Sequence, residues 1–128
     1  MNTRLLLAAS AIVMGAAGIA GTFAPQELAA VFGARLSGPP VLLVQLHAAL
    51  LFGFAMVNWM ARGSLLGGIY NRPLAVGNLA HFTIGAFAAF KAIDNADALL
   101  IGVTIVYALF AIGFGLALFR SPVESSTA

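Results

Sequence analysis

Cysteine is absent from this chain, and charge is nearly so. With no thiol there is no disulfide, no nucleophilic sulfur, no thiolate metal site and no covalent c-type haem. Asp, Glu, Lys and Arg together make up 8% of the residues, where soluble domains carry about 25%. The six basic residues are scattered, so no basic run points to nucleic acid, and no acidic tail points to a basic partner. No carboxylate lies in either apolar stretch that carries a histidine, which removes the usual oxygen ligands of a metal site. No nucleophile–base–acid set is present, and no glycine-rich phosphate loop follows a strand.

What the chain has instead is apolar side chain. Of 128 residues, 62% are hydrophobic, and the mean hydropathy is +1.03. A soluble fold of this size has too little interior to hide so much apolar surface. The excess is expected to face lipid, in a single domain occupying residues 1–128.

Spans are read as stretches without charge, since about 20 apolar residues cross a bilayer. Residues 5–26, 36–61, 73–90 and 98–119 contain no Asp, Glu, Lys or Arg. They predict helices over 5–23, 41–61, 73–91 and 98–119, and hence an all-α fold: a polytopic membrane protein built as a four-transmembrane-helix up-down bundle. The first stretch also has the look of a signal peptide with a small-residue cleavage site after Ala20, but it is longer than the usual h-region. Its Ala11, Gly15, Ala17 and Gly21 form small-xxx-small pairs that favour close helix contact, so a retained helix is expected.

Between the spans, APQELAAVFGARLSGPP places Pro25 at a helix N1 position and Gly33 at a C′ position, which predicts a short interfacial helix over 25–32. Gly38-Pro39-Pro40 then starts the second span. The loop ARGSLLGGIYNRP follows that span, KAIDNAD joins the third to the fourth with Asp97 as N-cap, and residues 121–128 form a short polar tail. Arg4, Arg62, Arg72 and Arg120 fall on one side, Arg35 and Lys91 on the other. The positive-inside rule then puts both termini in the cytoplasm, with Trp59 and Tyr70 near the inner interface.

The candidate functional residues are the few polar groups inside the spans. At 1.5 Å rise per residue, Asn58 lies about 4–5 Å and Asn78 about 7–8 Å from the inner ends of their helices, level enough for a hydrogen bond. His81 lies about 15 Å from the outer end, level with Tyr107. Gly77, His81, Gly85 and Ala89 form one stripe that turns the imidazole toward a neighbouring helix. His47 is placed on one face with Leu51, Phe54 and Asn58, and level with Thr104. Ionisable groups in a membrane are candidate sites by default. A pocket between the second, third and fourth spans would therefore be lined by His47, Phe54, Asn58, Asn78, His81 and Tyr107.

Two histidines invite haem b, but His47 and His81 differ in depth by about 6 Å, which disfavours axial ligation from both faces. No cofactor and no metal are expected. Arg62 and Arg72 flank a glycine-rich loop whose amides could meet a lipid headgroup or another anion. The Asp94–Asp97 turn offers too few oxygens for calcium.

In length and helix count the chain is similar to the small multidrug exporters. They depend on a glutamate in the first helix, and the first span here has no acid. The stretches APQELAAVFG and FGFAMVNWMARGSLLGGIYNRPLAVGNLAHF resemble small uncharacterised bacterial four-helix membrane proteins, from about residue 25 to residue 91. In architecture the chain is loosely similar to the DoxX-like proteins. The resemblance implies a bacterial cell-membrane location and carries no activity, cofactor or catalytic residue.

The reading that results is a small integral membrane protein with a structural or accessory role. Its partners would be the bilayer and either further copies of itself or a larger membrane complex, with no nucleic acid. The rival is a binder or carrier of a small hydrophobic ligand such as a lipid, a quinone or, less favoured, haem b. An enzyme using His81 for acid–base chemistry comes third.

Overall fold

The computed structural model describes residues 2–93 and 98–120. Asp97, the rest of the turn at 94–97, and the tail at 121–128 lie outside the described residues. Within them the chain is helical, with no strand: α1 Thr3–Phe23, α2 Pro25–Val31, α3 Pro39–Ala61, α4 Arg72–Lys91 and α5 Ala98–Phe119. α1, α3, α4 and α5 are long and apolar enough to cross a membrane. α3, α4 and α5 are apolar all round rather than on one stripe, the pattern of helices solvated by hydrocarbon. α4 is the least apolar of the four, as its Asn78 and His81 require, and α5 is the most apolar and the least buried.

Local chemistry sets the boundaries. α2, α3 and α4 each begin with proline in the first two positions, where the missing N–H has no helical acceptor to lose and φ is already helical. α2 ends one residue before the expected Phe32, which serves as its C-cap. Gly33 follows at φ 72°, its N–H bonding to Ala30 O at 3.0 Å, and Ala34 N bonds back to Ala29 O at 2.9 Å. That crossed pair satisfies the last carbonyls of the helix, and glycine takes such a φ without strain.

The chain forms two compact units, residues 7–62 and residues 1–6 with 63–128. In the first, α1 and α3 are antiparallel neighbours held by very small residues. A Cβ on Gly18 would meet Phe52 N at 2.8 Å and Ala48 O at 2.9 Å, so the two backbones touch there. A Cβ on Gly21 would meet Ala48 Cβ at 2.7 Å. The seam runs through Ser10, Met14, Gly15, Gly18 and Gly21 on α1 and Ala48, Phe52, Ala55 and Asn58 on α3. Gly18 therefore takes the place expected of Ala17, which is only half-buried. At the far end of the seam, Gln45 Nε2 donates to Thr22 O at 3.3 Å, engaging a carbonyl in the last turn of α1.

In the second unit, α4 and α5 form an antiparallel hairpin built on aromatic rings. Phe82 and Phe114 are fully buried. Phe82 stacks on Phe110 at 4.7 Å and on Phe114 at 5.8 Å, and meets Tyr107 edge-on at 5.2 Å. Such pairs add about 0.5–1.5 kcal/mol each beyond area burial in water. In lipid they matter because packing, not water exclusion, must hold helices together.

The loop before α4 belongs to this unit and fastens onto the end of α5. Gly68 N donates to Leu118 O at 3.2 Å. Gly67, at φ 136°, lies so close that a Cβ would stand 2.6 Å from Arg120 O and 2.8 Å from Ala117 O. Asn71 holds a left-handed φ of 50°, which asparagine tolerates, and its Nδ2 donates to Leu65 O at 2.6 Å.

Candidate functional site

The six pocket residues expected from the sequence divide between the units. His47, Phe54 and Asn58 fall in residues 7–62, and Asn78, His81 and Tyr107 in the α4–α5 hairpin.

Asn58 is fully buried. Its Nδ2 donates to Ser10 Oγ at 3.0 Å and approaches Met14 Sδ at 3.8 Å, while Ser10 Oγ donates onward to Leu7 O at 2.9 Å. The amide thus heads a short hydrogen-bond chain that crosses from α3 to α1, and each member polarises the next in surroundings of low dielectric constant. Ser10 and Met14 were not among the expected partners. His47 lies beside this face rather than on it. The seam around Ala48 has room for a methyl group only, and the imidazole is exposed.

Asn78 is also fully buried, and its Nδ2 donates to Leu74 O, one turn back on α4, at 3.0 Å. Thr104 on α5 bonds in the same way to Leu100 O at 2.8 Å. His81 and Tyr107 are brought together as their matched depth predicts, with ring centroids 5.6 Å apart and tilted by 46°. His81 also meets Phe82 edge-on at 5.1 Å, and its Nε2 is buried. Gly85 is the seat that lets Tyr107 in, since a Cβ there would stand 2.5 Å from Cδ1 of the ring. Phe82, Phe110 and Phe114 complete this face. The signal for them was the spacing of Tyr107, Phe110 and Phe114, which puts three aromatics on one side of α5.

The two candidate anion-contact arginines also fall in different units. Arg72 opens α4 and is exposed. Arg62 follows α3, and its guanidinium lies over the Trp59 ring, 4.0 Å from the centroid, while donating to Trp59 O. In the glycine-rich loop, the N–H groups of Gly67 and Gly68 are taken by the carbonyls of Tyr70 and Leu118.

Beside Trp59, α1 and α3 leave an open groove of about 290 Å³. Ala11, Gly15 and Ala55 form its floor, and Ile12, Phe52, Met56 and Trp59 rise at its sides. The described residues contain no cluster of three or more His, Asp or Glu arranged to hold a metal.

Large apolar side chains cover the outside of the chain, with Phe23 82%, Ile69 79%, Met60 78% and Phe119 79% exposed. Four long apolar helices with polar groups drawn into their seams define a multi-pass helical membrane protein. Comparison with protein-family models, with curated proteins and with solved structures gave no match.

Proposed function

We propose that this protein is a structural or accessory subunit of a bacterial cell (inner) membrane, with both termini in the cytoplasm. It would work as a homo-oligomer or within a larger membrane complex. The observation that carries this reading is the use of Ser10 and Asn58. The buried amide joins one helix to another through a side-chain hydrogen bond. The unequal distribution of arginines supports the orientation, and the resemblance to small bacterial four-helix proteins supports the location. The test is native mass spectrometry of the chain released from its own membranes with surrounding lipid. A defined oligomer or a stoichiometric complex is expected. A monomer carrying one quinone per chain would refute the proposal.

A second reading, a binder or carrier of a small hydrophobic molecule, is favoured by one observation: His81 and Tyr107 set two polar groups side by side within an aromatic wall. In that case His81→Ala abolishes ligand retention while the protein stays inserted. Under the first reading it lowers the melting temperature and leaves copurifying lipid and quinone unchanged.

A further inference from the structure

We propose that the groove between α1 and α3 is a binding site for an anionic phospholipid, with an acyl chain on the Ala11–Gly15–Ala55 floor and the phosphate at Arg62. The groove's lining offers almost no donor or acceptor, so its occupant is hydrocarbon. Its membrane position follows from Trp59, which lines the groove at the end of α3, the interfacial depth that indole prefers. Trp59 also carries Arg62 on its ring face, which fixes a cation at that end of the groove.

Within its own unit the cation has no acid beside it. Glu27 is the only acid in residues 7–62, and it lies in α2, which follows the end of α1 that packs beside Ala48. Ala48 is about 20 Å of helix rise from Arg62. Hydrocarbon lining continuous with a cation at headgroup depth matches an anionic phospholipid better than a zwitterionic one, whose own ammonium would oppose the guanidinium. A second copy of this chain is a poorer match. Any helix laid in the groove would have to leave Arg62 facing either its apolar surface or one of the chain's few acids, none of which lies within an uncharged span.

Trp59 is the only tryptophan, so its fluorescence reports on the site. The full chain is reconstituted in phosphatidylcholine vesicles. Phosphatidylglycerol or phosphatidylcholine bearing the same brominated acyl chains is added, and quenching of Trp59 is read. Brominated phosphatidylglycerol is expected to quench at about fivefold lower mole fraction, the preference that one basic residue at the interface supplies. Arg62→Gln removes the preference and Arg72→Gln keeps it. Salt at about 1 M, where the screening length is about 3 Å, removes it in the unaltered protein, which tests the site even if Arg62→Gln does not insert. Gly15→Leu fills the floor and lowers quenching by both lipids.

Equal quenching by the two lipids would overturn the proposal, as would a preference that survives Arg62→Gln or falls equally in Arg72→Gln. If Gly15→Leu turns a dimer into a monomer and leaves lipid preference intact, the groove seats a second chain and the proposal is wrong.

Discussion

Asn58 donates to Ser10 across the α1–α3 seam at 3.0 Å, and both side chains are wholly buried. A polar pair in hydrocarbon ties helices together, though less strongly than isolation from water suggests, because the separated helices also find partners. A double-mutant cycle with Ser10→Ala and Asn58→Leu should give a coupling of about 0.6–1.7 kcal/mol. Unfolding in detergent, followed by circular dichroism, measures it. Strictly additive losses would mean that the bond contributes nothing.

Gly85 should accept no side chain while Tyr107 is present. Gly85→Ala forces the ring off its seat and should cost about 1–3 kcal/mol, the usual penalty of overpacking. In a Tyr107→Leu background the same change should cost much less. An undiminished penalty there would show that Gly85 is needed for some other reason.

Gly67 combines a φ of 136° with the Ala117 and Arg120 carbonyls standing against the place a Cβ would take. Gly67→Ala should therefore destabilise by about 1–3 kcal/mol, and the damage should be local at first. Hydrogen exchange is the sensitive probe. The Gly68 amide, which donates to Leu118 O, should lose protection well before the amides at the centre of α4.

Removing the guanidinium that lies over Trp59 should change the indole's surroundings without unfolding α3. Arg62→Gln is expected to shift the emission maximum of Trp59 and leave helicity unchanged. Arg62→Lys should restore much of the original spectrum, since an ammonium can also sit over the ring. An emission spectrum indifferent to both changes would mean that the stack is not populated in a bilayer.

The spans were legible because a charged group in hydrocarbon is costly, so the uncharged stretches mark where lipid lies. Prolines fixed the starts of three helices to within two residues. Depth along a helix was legible as well, and it brought His81 level with Tyr107. Direction around the axis was harder. Helices α3 to α5 are apolar on every side, so no stripe tells the buried face from the lipid face. Ser10 looked like any small residue until Asn58 was found against it. His47 shares a nominal face with Asn58 and is exposed, whereas its neighbour Ala48 is the residue that meets the glycines of α1. The Tyr107, Phe110 and Phe114 spacing was present and decisive, yet aromatic residues are so common in this chain that their alignment did not stand out.

The two helix pairs meet through atoms that glycine lacks and its neighbours supply, while nearly everything outside those meetings is interchangeable grease. Sequence drift should therefore be lopsided. Leu, Ile, Val and Phe can trade places over most of the outer surface at little cost, whereas positions 18 and 85 cannot grow. Kinship with this fold would then be carried by the intervals between a few small residues and the partners that overlie them. A saturation library selected for membrane insertion should show two or three intolerant points per helix against a permissive background.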